Sequence, residues 1–148
     1  MRICYLGDAP SIHTQRWCSY FVSLGHEVHL VTFRDAKIAG VEVHFINAGP
    51  IKSTGGNWRV LLKATKVKRL LEKIKPDILH AHYATSYGAV GARTGFHPYI
   101  ITPHGTDVLI TPWKSRVYRW LLRNTFKSAD LVLIVADHMR EAVQRLGV

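Results

Sequence analysis

The chain has 148 residues, a length typical of one domain. Hydrophobic residues make up 47% of it and charged residues 20%, which excludes an intrinsically disordered chain. The formal net charge of +10 favours polyanionic partners, namely nucleotide phosphates, nucleic acid or anionic lipid headgroups. The opening residues lack the pattern of a secretory signal, and Cys4 and Cys18 lie in apolar segments as expected of reduced core thiols. These features favour a cytoplasmic location.

The first half of the chain alternates between strand and helix patterns. The run Arg2–Leu6 predicts a strand and is followed by a cluster of turn-forming residues. Ser11 is the expected N-cap of a helix that ends at Leu24, with Gly25 after it. The elements predicted next are strands over 28–33 and 41–46 and a loop over 47–57.

The second half continues the alternation. Trp58–Lys75 has an apolar stripe at helical spacing and is followed by Pro76, so the sequence predicts one long helix there. The apolar run Leu131–Val135 predicts a central parallel strand. The other predicted elements are strands over 77–82 and 99–102 and helices over 85–94, 112–126 and 137–146, the last capped by Asp137. Together these elements predict a Rossmann-like, doubly wound α/β fold, with a mostly parallel sheet and helices on both faces.

Ligands of such sheets bind at the carboxyl ends of the strands. Polar residues are concentrated in the segments that follow the predicted strands, at 7–13, 33–35, 80–83, 102–107 and 136–138. The segment after the first strand has one glycine instead of a GxGxxG motif, so a nicotinamide or flavin cofactor is not expected. In the segment at 102–107, His104 is placed to face a ligand, and Asp107 either orients its ring or caps the turn. The candidate substrate-binding residues are Gly7, Asp8, Ser11, His13, His82, Tyr83, Gly105 and Asp107.

A metal site is not predicted, although three histidines come close to suggesting one. His80 and His82 lie two apart at a strand end and face the same side of the sheet, near the His104 segment. No cysteine or carboxylate completes a ligand set at suitable spacing. One of the two strand histidines is instead expected to be a core residue that is hydrogen-bonded to backbone.

The predicted helix Trp58–Lys75 carries seven basic residues and one acid. A basic amphipathic helix is typical of elements that lie on anionic membranes, but a solvated outer face gives the same pattern, and both interpretations stay open. The residues that would face a membrane are Arg59, Lys63, Lys66 and Lys73. A second basic group, Arg116, Arg119 and Arg123, lies on the helix predicted at 112–126. The sequence has no nucleic-acid recognition motif, so nucleic acid is not an expected partner.

Three ordered segments resemble the N-terminal domain of the retaining GT-B glycosyltransferases of family 4, the "group 1" glycosyltransferases. The first is SIHTQRWCSYFVSLGHEVHLVTF, and the second is PDILHAHYATSYGAVGA. The third is ITPHGTDV, followed by ADLVLIVADHMREAVQRLGV. Together they cover nearly the whole chain in register. The resemblance implies the N-terminal half of a GT-B fold.

The resemblance also implies an activity. Members transfer a sugar, here expected to be a hexose, from a nucleotide-sugar donor to a glycan or lipid acceptor, usually without a metal or other cofactor. By similarity, His104 would face the donor sugar, with Gly105 and Asp107 completing its motif. The loop from Gly7 to Ser11 would face the donor phosphates and the acceptor, and His13 would match a polar position at the start of the first helix.

The chain departs from the family pattern in two places. Many members have a Gly-Gly pair in the first loop, where this chain has Gly7-Asp8-Ala9-Pro10. The E-x7-E motif of the family's donor-binding domain does not occur in these residues. We therefore expect residues 1–148 to form the acceptor-side domain of a longer enzyme and to be inactive alone. The alternative is a non-catalytic binding domain, peripheral at an anionic membrane or bound to a protein partner.

Overall fold

The computed structural model describes residues 1–52 and 57–148, and their sheet confirms the predicted fold. Six strands pair in the order β3-β2-β1-β4-β5-β6, and every neighbouring pair is parallel. The strand order reverses between β1 and β4, which is where doubly wound sheets form their ligand crevice. The strands are β1 (Arg2–Leu6), β2 (Glu27–Thr32), β3 (Val41–Phe45), β4 (Ile78–His82), β5 (Tyr99–Thr102) and β6 (Leu131–Val132).

Helices cover both faces of this sheet. On one face, Trp17, Cys18 and Phe21 of the first helix pack against Ile3 and Tyr5 of β1. On the other face, apolar residues of the later helices form the larger core cluster with alternate residues of the same strands. Both cysteines are free and buried, as predicted. The helices are α1 (Ile12–Ser23), α2 (Ala64–Ile74), α3 (Ala89–Thr94), α4 (Thr106–Leu109), α5 (Thr111–Lys114), α6 (Arg116–Lys127) and α7 (Asp137–Gln144).

The predicted long helix over 58–75 is shorter and less regular than expected. Trp58–Lys63 is a 3₁₀ helix, and the α-helix begins only at Ala64. Its end lies at Ile74 because Lys75 adopts a left-handed conformation, with φ of 51°, immediately before Pro76. A residue that precedes proline is disfavoured in the right-handed helical region. The loop prediction over 47–57 includes residues 53–56, which lie outside the described residues.

The prediction of one helix over 112–126 is wrong. Two helices, α5 and α6, occupy this region, and the helix before it, α4, was not predicted. The break before α6 lies at Ser115, whose backbone is extended and whose Oγ accepts a hydrogen bond from the Tyr118 amide at 3.2 Å. Ser115 is thus an N-cap inside a segment whose apolar spacing suggested continuity. Similarly, the helix predicted over 85–94 begins as a π-helical turn at Ala84–Gly88.

The last strand and two predicted caps also differ from expectation. Strand β6 contains only two residues and lies at the edge of the sheet, where Leu131 and Val135 are exposed, so it is not a central strand. Asp137 is the first residue of α7 and does not cap it, since Ala136 holds the N-cap position. Ser11 does hold the N-cap position of α1, but its hydroxyl makes no capping hydrogen bond. None of the described helices has the length and apolar character needed to cross a bilayer.

Candidate functional site

A cavity of about 250 Å³ lies at the carboxyl end of the sheet, where β1 and β4 are neighbours. We call it the switch-point pocket. Its size is slightly below the range of about 300–1,000 Å³ usual for small-molecule sites. The lining residues are Asp8, Ser11, Thr14, Phe33, Arg34, Ile51, Lys52, Asn57, Val60, His82, Tyr83, Ser86, Tyr87 and His104. The pocket therefore combines the loops after β1, β2, β4 and β5, as the strand-end rule predicts.

The two histidines of β4 face the same side of the sheet, as expected from their spacing. Both rings lie edge-on to the Trp17 indole, and their centroids are 4.7 Å apart. His80 Nε2 hydrogen-bonds Thr102 Oγ1 at 2.8 Å, so its partner is a side chain and not the predicted backbone group. His82 is only 2% exposed, yet within the described chain neither of its ring nitrogens has a hydrogen-bond partner.

His104 reaches the pocket through the loop after β5. Its ring centroid lies 5.2 Å from that of His82 and 5.3 Å from that of His13. The next residue, Gly105, has φ of +108°, a conformation that other residues rarely adopt. The loop is held by Asp107, whose Oδ1 accepts a hydrogen bond from the His104 backbone amide at 3.0 Å. Of the two roles open for Asp107, the structure shows the turn cap and not contact with the imidazole ring.

Burial keeps the pocket histidines neutral at physiological pH. Burial, with smaller contributions from the nearby His80, His104 and His13, lowers the pKa of His82 to about 2. Burial also lowers the pKa of His104 to about 4, with His13 contributing. A neutral imidazole offers one N–H donor and one nitrogen acceptor. These two rings are therefore suited to the hydroxyl groups of a ligand, which both donate and accept hydrogen bonds.

A carboxylate and two cationic side chains lie on the β1 and β2 side of the pocket. Asp8 Oδ2 accepts a hydrogen bond from Arg34 Nη1 at 3.1 Å, and burial raises the pKa of this carboxyl group while Arg34 opposes the shift. Thr32 fastens the first loop to β2, because its Oγ1 accepts hydrogen bonds from the amides of Ala9 and Arg34, both at 3.2 Å. Lys52 supplies the second cation of the lining.

Three buried side-chain atoms lack a hydrogen-bond partner in the part of the chain that the structure describes. They are Asp8 Oδ1 and the two ring nitrogens of His82. Both residues line the switch-point pocket. Because buried polar groups are nearly always satisfied, and the exceptions concentrate at functional sites, these atoms mark the pocket as the candidate binding site.

The structure brings only some of the predicted site residues together. Asp8, Ser11, His82, Tyr83 and His104 line the pocket, whereas Gly7, His13, Gly105 and Asp107 lie beside it. Of the predicted membrane-facing residues, Lys63 is half-buried and the other three are exposed.

Several residues that line the pocket were not predicted, and they differ in whether the sequence contains a signal for them. Arg34 falls in a strand-end segment, so its position was a usable signal. Lys52 and Asn57 come from an irregular loop. Asn57 is positioned by reciprocal hydrogen bonds with the Lys52 backbone, for which the sequence has no periodic signal.

Comparisons with known proteins point to one family. The family described as "Glycosyl transferase 4-like" matches residues 2–136. The chain is 34% identical over 75 residues to the "Putative teichuronic acid biosynthesis glycosyltransferase TuaC" of Bacillus subtilis, covering 49% of this chain and 19% of that protein. It is 28% identical over 121 residues to the "Uncharacterized glycosyltransferase MJ1178" of Methanocaldococcus jannaschii, covering 77% of this chain and 33% of that protein.

A solved structure shares the fold. Sucrose-phosphate synthase from Thermosynechococcus elongatus superposes with a TM-score of 0.77 at 14% identity, covering 98% of this chain and 45% of that one. At this identity the likeness shows the fold alone. The chain thus spans about a fifth to a third of the length of the two curated relatives, and about half of the structural one.

Replacing each of the two β4 histidines by leucine should have different effects on the free energy of unfolding. His80→Leu leaves the buried Thr102 hydroxyl without its partner, so we expect it to lower the free energy of unfolding by about 1–3 kcal/mol. His82→Leu removes only unpartnered polar atoms, so its stability should equal or exceed that of the original chain. Urea denaturation at pH 7.5 measures both values. Equal destabilisation by the two variants would contradict the assignment.

The same histidines should make the fold sensitive to acid. Below about pH 6.5 the unfolded chain binds protons that His80 and His82 do not accept when folded, since burial lowers their pKa values to about 4 and about 2. Stability must therefore fall as the pH falls from 6.5 towards 4. His82→Leu should reduce this slope by about 1.4 kcal/mol per pH unit. An unchanged slope in His82→Leu would contradict this explanation.

Proposed function

Because this chain belongs to the glycosyl transferase 4-like family, we propose that it forms the acceptor-side domain of a retaining hexosyltransferase. In this proposal the enzyme moves a sugar from a nucleotide-sugar donor to a glycan or lipid acceptor, without a metal ion or other cofactor. The switch-point pocket is the part of the active-site cleft that residues 1–148 contribute.

The unpartnered buried atoms of the pocket carry this proposal. Asp8 Oδ1 accepts hydrogen bonds, and the neutral His82 ring both donates and accepts them. A sugar presents several hydroxyl groups on adjacent carbons, and hydroxyl groups both donate and accept hydrogen bonds, as these atoms require. An apolar ligand would leave them unsatisfied, at a cost of about 1–3 kcal/mol for each group.

His104 is the proposed catalytic residue at this site. It lines the pocket beside His82, and its lowered pKa keeps the imidazole neutral. A neutral imidazole N–H can hydrogen-bond a hydroxyl of the transferred sugar and stabilise the polarity that develops as the glycosidic bond breaks. Asp107 positions it by holding the His104 amide, and Gly105 supplies the backbone conformation that the turn requires.

Charge divides the pocket into two regions. The neutral histidines lie at the end of β4 and after β5, and the cations Arg34 and Lys52 lie in the segments after β2 and β3. The Arg34 side chain is 42% exposed, so those guanidinium N–H groups that do not bind Asp8 can reach a ligand. We propose that sugar hydroxyls bind at the neutral region and that a phosphate group of a substrate binds at the cationic region. The Asp8 carboxylate, which stands where many members have glycine, disfavours a phosphate directly at the first loop.

The donor nucleotide requires further protein surface. A pocket of about 250 Å³ is too small to enclose a complete nucleotide-sugar, and the curated relatives are three to five times longer than their matched segments. We propose that a second domain beyond residue 148 binds the nucleotide and closes the cleft, and that residues 1–148 alone are inactive.

The proposal is tested by replacing His104 in an active enzyme. The chain is expressed with the coding sequence that follows it in its gene, and sugar transfer is measured with a panel of nucleotide-sugars. We expect His104→Ala to lower kcat by about 10²–10³-fold, because it removes a group that stabilises developing charge. The matched control is His138→Ala, which removes an exposed histidine on α7. Transfer by His104→Ala at the control rate would refute the catalytic role.

A second proposed property is attachment to an anionic membrane. Trp58 and Leu62 are 64% and 71% exposed, and the exposed cations Arg59, Lys66 and Lys73 lie on the same 3₁₀ helix and on α2. Aromatic and aliphatic side chains beside basic residues are typical of helices that lie in the headgroup region of a bilayer. This attachment is compatible with a lipid acceptor, and by itself it would also suit a non-catalytic binding domain.

Vesicle co-sedimentation tests the membrane proposal. We expect binding to vesicles that contain phosphatidylglycerol and not to pure phosphatidylcholine, with loss at high salt. The double variant Lys66→Gln/Lys73→Gln should weaken binding by about 30-fold, from about 1 kcal/mol for each lysine. The control Lys37→Gln/Arg140→Gln makes the same charge change elsewhere on the surface. Equal losses in both double variants would show attraction by net charge and reject a defined surface.

A further inference from the structure

A cluster of metal-ligating side chains lies between β2 and the edge strand β3, outside the switch-point pocket. Its members are His29 on β2 and Glu42 and His44 on β3. His29 is the Cα partner of Glu42, and Val31 is the partner of His44, so strand alternation places all three side chains on one face. His29 precedes Thr32, which fastens the pocket loop, by three residues or about 10 Å along the strand.

The ligand atoms are separated by distances that suit one small metal ion. His29 Nδ1 lies 3.0 Å from His44 Nε2, and the Glu42 carboxylate oxygens lie 3.5 Å from His29 Nδ1 and 3.6 Å from His44 Nε2. A tetrahedral Zn²⁺ ion with bonds of about 2.0–2.1 Å separates its ligand atoms by about 3.3 Å. The two 3.5–3.6 Å contacts are made by different oxygens of Glu42, Oε2 to His29 and Oε1 to His44, so a small rotation of this exposed side chain would bring one oxygen to the position that such an ion requires.

The surroundings also fix the histidine tautomer that a metal requires. Glu27 Oε1 accepts a hydrogen bond from His29 Nε2–H at 2.9 Å, which leaves Nδ1 as the nitrogen without a proton, facing His44 and Glu42. Glu27 is itself held by Arg2, whose Nε donates to the same oxygen at 2.7 Å. A carboxylate that hydrogen-bonds the outer nitrogen of a ligating histidine is the usual second shell of zinc sites.

We propose that His29, Glu42 and His44 form a binding site for a divalent transition-metal ion, with Zn²⁺ the ion that the spacing favours. Three protein ligands leave one tetrahedral position for water. His29 is buried while Glu42 is largely exposed, so the ion reaches the site from solvent on the Glu42 side. Bound there, the ion cross-links β3, which pairs with β2 alone, to the rest of the sheet. The proposed metal site is separate from the switch-point pocket, and the ion takes no part in the proposed sugar transfer.

The test is a titration of the metal-free chain with Zn²⁺ in competition with a chromophoric chelator. We expect one ion per chain. Glu42→Gln and His44→Gln should each weaken binding at least about 10-fold, by comparison with losses of about 10–100-fold when only the hydrogen-bond partner of a metal ligand is removed. Glu42 is exposed, so its variant should fold normally, which circular dichroism checks. Zn²⁺ should also raise the Tm of the original chain and not that of the variants.

Two controls identify the histidines that bind the ion. His138→Gln removes an exposed surface histidine, and His13→Gln removes the exposed member of the group beside the switch-point pocket. Neither should change the affinity for Zn²⁺. Co²⁺ should give the intense visible absorption of a tetrahedral ion, without a thiolate charge-transfer band from Cys4, the Cα partner of His29. Absence of stoichiometric binding, or a loss with His13→Gln equal to that with His44→Gln, would overturn the proposal.

Discussion

The buried carboxylate of Asp107 joins the two loops on which the candidate site depends. Asp107 is fully buried, and it accepts hydrogen bonds from the Ala84 amide at 2.7 Å and from the His104 amide at 3.0 Å. Ala84 lies in the segment after β4, and His104 lies in the loop after β5. One side chain therefore fixes the distance between the two segments that carry His82 and His104. Burial raises the pKa of this carboxyl group, and the backbone amides oppose the shift. The arrangement is rigid because each hydrogen bond runs to backbone.

This rigid frame explains how the pocket can hold polar atoms that the protein does not satisfy. An unpartnered imidazole in the core costs free energy, and a mobile loop would relax until water or backbone satisfied it. The backbone of His82 is held within β4, and its ring packs against the rings of Tyr5 and Trp17, so the side chain cannot move away. In the proposed function, a bound sugar supplies the missing hydrogen bonds and regains this free energy. Stability and binding therefore compete at the same residue.

The sequence predicted the features of the fold that follow from periodicity and failed where single contacts decide. Each strand was located to within a few residues, because buried parallel strands appear as short apolar runs between turn formers. The break at Ser115 was missed, since its apolar neighbours keep helical spacing and only the hydrogen bond to Tyr118 reveals the cap. The edge position of β6 was missed for another reason. Strand order is a long-range property, and an apolar run looks the same at the centre of a sheet and at its edge.

The residues of the candidate site likewise fall into those that the sequence could predict and those that depend on tertiary contacts. His82, His104 and Asp8 were accessible from sequence because they lie at the end of a strand or within two residues after one, and all parallel strands end at one edge of the sheet. The position of Lys52 depends on how the segment after β3 folds. The contact between the rings of His29 and His44 depends on which strands are neighbours. The net charge of +10 shows that composition alone does not describe the chemistry of a site. The neutral histidines of the pocket contribute nothing to it, and among the described residues that line the pocket the cations are Arg34 and Lys52. Bulk charge therefore describes the outer surface of this domain, whereas the chemistry of its pocket is determined by burial.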